Sequence, residues 1–282
     1  MTEQGAGVAA MNSEDNPQRW CSINLVGVPA GLISSAEFNA YPQKLSIAGV
    51  QQTHRGLFQL LAGAQDMNQA AEIFRHYMEI VFGLAPPTPE MRGAERRRYR
   101  SSYIKLLEGW GFDANSPQGA VLKGWVESRF GLIPTYHKAE LKHFPSPAWV
   151  GYLEAKLSSR FHNNSIHAQL DLLYEYCQWV VARFEQPGGE CMKLWRGINC
   201  HGEQMIVEGS LRAGECVVRL NNLVSFTRVR AHAEEFGDWI LEAQVPAAKL
   251  LFFPGLLPHA PLNGEGEVLA LGGLYRVKAS YV

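Results

Sequence analysis

The sequence predicts an α+β fold in which helices come first and a series of short strands follows. Between Gln51 and Glu185, apolar residues recur at helical spacing. The run Gln186-Pro187-Gly188-Gly189 breaks that pattern. Beyond it, short turn-bounded segments alternate apolar and polar residues as strands do. With 282 residues, 46% hydrophobic and 19% charged, the chain can bury a substantial core and is not disordered as a whole.

Residues 1–19 are polar, rich in Gly, Ala, Asn and acids, and read as a flexible tail. They show neither a basic start nor an apolar stretch, so no signal peptide is expected. The next thirty or so positions mix short apolar runs with Pro29, Gly31 and Pro42 and support no assignment. Ala70 to Phe82 is amphipathic and ends at Gly83, with Pro86 and Pro87 blocking continuation. Glu95 to Trp110 is a second candidate helix. Ser116-Pro117 and Ser146-Pro147 each place a capping hydroxyl before a proline at the first helical position. The helix after Ser116 ends at Phe130-Gly131. Ile166, Leu170, Leu173, Cys177, Val180 and Phe184 form one face of a last helix. Trp110, Trp125, Trp149 and Trp179 fall within helical patterns and read as core.

Strands are expected at Met192–Arg196, Cys216–Leu220, Leu223–Thr227, Trp239–Val245, Lys249–Phe253, Glu267–Leu271 and Leu274–Tyr281. In the last, Tyr275, Val277 and Ala279 alternate with Arg276, Lys278 and Ser280, one face buried and one wet. The division is thus a tail (1–19), a mainly helical region (20–189) and a β-rich region (190–282). The helical half carries apolar faces that need a cover, so the last two can form one compact unit.

Charge and motifs exclude several functions. Lys+Arg total 26 against 27 Asp+Glu, a balance that disfavours field-driven nucleic-acid binding. No stretch approaches the ~18 apolar residues of a transmembrane helix. Five scattered cysteines (21, 177, 191, 200 and 216), with no C-x-x-C, suggest reduced thiols in a cytoplasm. Cys200 has no adjacent base and reads as structural. No G-x-G-x-x-G or G-x-x-x-x-G-K-[ST] cradles phosphate, and no G-x-S-x-G marks a hydrolase. No histidine spacing suits a metal; His162 and His167 are five apart. The run Arg92, Arg96, Arg97, Arg98 and Arg100 reads as the wet face of a helix, or as a docking patch for an acidic partner.

What remains is a constellation in the β-rich region. Arg196-Gly197 closes its first strand, Ser225-Phe226-Thr227 lies on a middle strand, and Glu265-Gly266-Glu267 opens a late one. Singly, each has an ordinary reading: a paired surface arginine, polar strand residues, solvated loop carboxylates. Their joint order resembles the arginine-serine-glutamate class of mono-ADP-ribosyltransferases. Asn24-Leu25-Val26-Gly27-Val28-Pro29, Ala36-Glu37-Phe38-Asn39 and Arg55-Gly56-Leu57-Phe58 add a similarity to the bacterial dinitrogenase reductase ADP-ribosyltransferases, from about residue 20 to the end.

The resemblance implies a split β-sandwich of the ADP-ribosyltransferase type, with the helical region packed on it and NAD+ as co-substrate. It assigns Arg196 to a phosphate clamp, for which a guanidinium's bidentate geometry is suited. Gly197 would approach the nicotinamide amide, while Ser225 and Thr227 would bind ribose and nicotinamide and brace the glutamate. Phe226 either stacks near the nicotinamide or, because alternation points it opposite to Ser225, belongs to the core. Glu267 would hold the ribose 2′-hydroxyl and stabilise oxocarbenium charge. Glu265 would hold an acceptor arginine. The loop Pro254–Gly264 would face that acceptor; His259 within it reads as an exposed histidine or an acceptor contact.

The expected activity is transfer of ADP-ribose to an arginine of dinitrogenase reductase, the nitrogenase iron protein, which reversibly switches off nitrogen fixation. A PII-type signalling protein is the implied switch, and the cytoplasm the implied location. The alternatives are an NAD+ glycohydrolase, a transferase with another acceptor, and a non-catalytic NAD+ or partner-binding module.

Overall fold

The computed structural model describes residues 24–84, 102–185, 190–199, 205–258, 262 and 266–282. The expected tail, Glu95–Ser101, the basic run 92–100, Cys200, His259 and Glu265 lie outside the described residues. The architecture is α+β, helices followed by an antiparallel sheet.

The N-terminal stretch left without assignment holds two short helices, α1 (Ala30–Ile33) and α2 (Ala36–Ala40). They are followed by α3 (Val50–Thr53), α4 (Arg55–Ala62) and α5 (Met67–Phe82). Next come α6 (Tyr103–Phe112) and α7 (Pro117–Phe130). The expected helix Glu95–Trp110 thus has its N-cap at Ser102 and runs two residues further. A two-residue hairpin, β1 (Tyr136–His137) and β2 (Ala139–Glu140), precedes α8 (Pro147–Leu157) and α9 (Asn164–Val180). The end of the last predicted helix is a π turn at Val181–Glu185. Capping follows local chemistry: the Ser116 and Ser146 side chains accept from the Gly119 and Trp149 N–H groups. α5 and α7 end at Gly83 and Gly131, both left-handed.

The strands are β3 (Cys191–Ile198), β4 (Met205–Ser210), β5 (Glu215–Thr227), β6 (Trp239–Pro246), β7 (Leu250–Phe252) and β8 (Glu267–Tyr281). Helix α10 (Arg230–Glu234) joins β5 to β6. Strands predicted separately at 216–220 and 223–227 are one strand, β5, with a break in register at Leu220/Leu223. Those at 267–271 and 274–281 likewise merge into β8. β4 was not predicted; all six of its residues are exposed, so it carries no alternation.

The ladder pairings close on themselves, β3 with β6, β6 with β8, β8 with β5, and β5 back to β3 through Trp195↔Thr227. β4 pairs with β5, and β7 with β8. The break in β5 frees two asparagines for the helical side. Asn221 Oδ1 accepts from the Thr135 N–H at 3.0 Å, and Asn222 Nδ2 donates to the Lys123 and Leu132 carbonyls at 2.8 Å. These bonds satisfy polar groups that would otherwise be costly to bury.

One contiguous apolar core contains Phe74, Trp125 and Tyr174 from the helices with Phe252, Leu269 and Tyr275 from the strands. Phe74 stacks on Tyr176 with ring centroids 4.0 Å apart. The start of α3 and the chain leading into it are pinned by the buried Glu175 carboxylate of α9, which accepts from the Ile47 N–H and Gln51 Nε2, each at 2.6 Å. Of the four tryptophans read as core, Trp125 is fully buried, Trp179 is partly buried at the margin of the main core, and Trp149 is partly buried against a separate small cluster of Ala120, Leu141 and Tyr152. Among the described residues, no helix is long and apolar enough to cross a membrane.

Candidate active site

Arg196 and Gly197 sit near the end of β3, Ser225, Phe226 and Thr227 at the end of β5, and Glu267 at the start of β8. Antiparallel pairing brings these ends together: Thr227 lies opposite both Trp195 and Glu267. All six residues border one cavity of about 300 Å³, completed by Gly111, Trp195, Ala233 and Phe236. A larger cavity, about 480 Å³, bordered by Lys44, Gln51, Gln178 and Trp179, contains none of them.

Within the cleft, the Ser225 hydroxyl donates to Glu267 Oε1. Trp110 Nε1 donates to the same oxygen at 3.1 Å and to Ser225 Oγ at 2.9 Å. Arg196 Nη1 donates to the Ser225 carbonyl at 2.7 Å, tying β3 to β5 where the ladder holds only one pair. Thr227 Oγ1 accepts from the Val229 N–H at 3.1 Å and so fixes the turn into α10. Gly197 is required by a close approach. A Cβ there would lie 2.0 Å from the Ala233 carbonyl oxygen of α10.

Phe226 is buried against the core, its ring tilted 55° to Tyr275 at 5.7 Å, and also borders the cavity. Of the loop 254–264, Leu262 is buried; a Cβ on Gly111 would come within 2.8 Å of its Cδ2. Glu265 and His259 fall outside the described residues. Among the described residues, no group of three His, Cys, Asp or Glu side chains is placed to hold a metal ion.

A profile described as dinitrogenase reductase ADP-ribosyltransferase matches residues 23–279. The chain belongs to that family. It is also 51% identical over 272 residues to the NAD(+)--dinitrogen-reductase ADP-D-ribosyltransferase of Rhodospirillum rubrum, a match spanning 95% of this chain and 98% of the relative. No solved structure matches the chain.

For this member of the dinitrogenase reductase ADP-ribosyltransferases, sequence reasoning overlooked Trp110 at the cleft. At 4% exposure it is buried, as its helical pattern implies, but its indole N–H is spent on Ser225 and Glu267. Ala233 and Phe236 were overlooked as well. The segment after Ser225-Phe226-Thr227 carries no motif, and only the turn back toward β3 places them on the cleft.

Proposed function

We propose that this chain transfers ADP-ribose from NAD+ to an arginine of dinitrogenase reductase. The observation that carries the reading is the convergence of Arg196, Ser225, Thr227 and Glu267 on one cavity. Membership in the family and the near full-length similarity to the Rhodospirillum rubrum enzyme support the choice of acceptor. We read the self-closing strand pairings as the split β-sandwich of ADP-ribosyltransferases, and the helical and β-rich regions as one compact unit, because a single core draws on both.

In this reading, Arg196 binds pyrophosphate oxygens as a bidentate cation. Gly197 lets the backbone approach the nicotinamide amide, Ser225 and Thr227 bind ribose and nicotinamide, and Phe226 walls the cleft. The bond from ribose C1′ to the nicotinamide nitrogen breaks, and nicotinamide leaves neutral with the electron pair. The Glu267 carboxylate holds the 2′-hydroxyl and stabilises positive charge on the ribose as it develops. An arginine nitrogen then bonds to C1′ and loses a proton. Glu265 holds that guanidinium in fork geometry. Because the free guanidinium has a pKa above ~12, the proton leaves during or after attack. On the resemblance alone, a PII-type protein controls the activity and the cytoplasm is its location.

The test is intact-mass spectrometry of nitrogenase iron protein incubated with this chain and NAD+, with Glu267→Gln as control. The expected result is a gain of one ADP-ribose, mapped to arginine and absent with the variant. Release of nicotinamide without any gain on the iron protein would replace transfer with hydrolysis. Wild-type transfer by Glu267→Gln would overturn the assignment of the site.

A further inference from the structure

We propose that Trp110 is a positioning residue for Glu267, so that the helical region supplies one of the groups that orient the catalytic carboxylate. The proposal rests on the reading of Glu267 given above. Trp110 comes from α6, 157 positions before Glu267 in the chain. An indole offers one donor and no acceptor. Here that donor lies 3.1 Å from Glu267 Oε1 and 2.9 Å from Ser225 Oγ, while the Ser225 hydroxyl also donates to Oε1. The terminal torsion of a glutamate is otherwise broad and loosely held. Two donors on one oxygen select a single orientation, with the carboxylate bordering the cleft.

The indole is itself held. It is 4% exposed, and Lys123 Nζ lies 5.9 Å from its ring centroid. That lysine is buried and donates to Asn115 Oδ1 at 3.2 Å and to the Tyr136 carbonyl at 3.0 Å. At the other end of α6, the Tyr103 N–H donates to the buried Gln169 side chain of α9 at 2.9 Å. The donor is therefore built into the helical packing before substrate arrives, and preorganised donors of this kind lower barriers without reorganisation during the reaction. Among the described residues, the charged and titratable groups on the elements packed here are Arg196 on β3, which borders the same cavity, His232 on α10, whose Nδ1 lies 3.5 Å from where a Cβ on Gly266 would sit, and Lys123 of α7 behind the indole. None of these is altered when Trp110 alone is changed.

The experiment is Trp110→Phe, which keeps an aromatic ring and removes the N–H. Nicotinamide release is measured with iron protein as acceptor, and NAD+ binding by titration. A hydrogen bond to a charged group predicts a fall in kcat of about ten- to a hundredfold, with little change in KM for NAD+. The lost donor no longer favours the ionised carboxylate, so the acid limb of the pH profile moves to higher pH. Trp125→Phe is the structural control. It removes a buried indole N–H that donates to Asp171 Oδ1 at 2.7 Å, away from the cleft. It should lower thermal stability and leave the pH profile in place. If Trp110→Phe does no more than Trp125→Phe, or keeps wild-type kcat while Glu267→Gln is inactive, the positioning role is overturned. If Glu267→Gln is itself active, the reading of the site fails instead.

Discussion

Gly197→Ala tests both the packing and the cleft. The added Cβ would sit 2.0 Å from the Ala233 carbonyl oxygen and 3.1 Å from Phe236 Cβ. Ordinary non-bonded contacts lie near 3.5–4.0 Å, so α10 must retreat by about 1.5 Å or β3 must bend. Overpacking of this kind costs about 1–3 kcal/mol, which for a chain of 282 residues lowers Tm by about 2–5 °C. The functional effect should exceed the loss of stability, because Ala233 and Phe236 border the cleft and a 1 Å misplacement at a reacting centre costs about a hundredfold in rate. Thermal unfolding, NAD+ titration and initial rates of nicotinamide release at a temperature well below Tm separate the two effects. A variant with wild-type NAD+ affinity, rate and Tm would refute the claim that glycine is required by the approach of α10.

Three further perturbations have definite outcomes. Burial pushes the Lys249 ammonium from 10.5 down to about 7, despite its bond to the Gly272 carbonyl at 3.3 Å and the Phe38 and Tyr275 rings beside it. Below pH 7 both folded and unfolded chains hold the proton and the fold bears the full cost of a buried cation; between 7 and 10.5 only the unfolded chain holds it, so stability rises with pH. Urea unfolding of Lys249→Met should lack this rise and be more stable by about 1–3 kcal/mol at pH 6.5; an unchanged pH slope would show that Lys249 is not its source. Arg196→Ala should raise the NAD+ dissociation constant at least tenfold, the scale of a lost charge-assisted bond, and equal affinity would count against the phosphate clamp. Glu265→Gln should lose transfer to arginine more than NAD+ hydrolysis, and equal losses would remove its acceptor role.

Much of the local structure was legible in the sequence because near neighbours determine it. Serine followed by proline set the starts of α7 and α8, and Gly83 and Gly131 set two helix ends. Two-residue alternation located the buried face of the last part of β8, with Tyr275 and Val277 inside and Arg276 and Lys278 exposed. The motif residues could be named as chemical types, and pairing of three strands places Arg196, Gly197, Ser225, Phe226, Thr227 and Glu267 on one cavity. Phe226 shows how far alternation reaches. It turns the ring toward Tyr275, yet the residue still borders the cleft, which spacing along one strand could not reveal.

The remainder depended on distant partners. Two predicted strands are one because pairing with β8 resumes at Leu223 after Asn221 and Asn222 break the register to bond the helical side, with Gly272 opposite: a Cβ there would lie 1.5 Å from the Asn221 carbonyl oxygen. Trp110 looks like any buried tryptophan on a helix, and its single donor acquires meaning only when α6 lies across the ends of β5 and β8. By itself the sequence determined the order of helices and strands, the helix caps and the kinds of residue available for chemistry, since these follow from periodicity and from bonds within a turn or two. The tertiary structure decided which strand ends meet, which tryptophan reaches the carboxylate and which glycine must stay bare, because those depend on groups brought together from positions up to 157 apart in the chain.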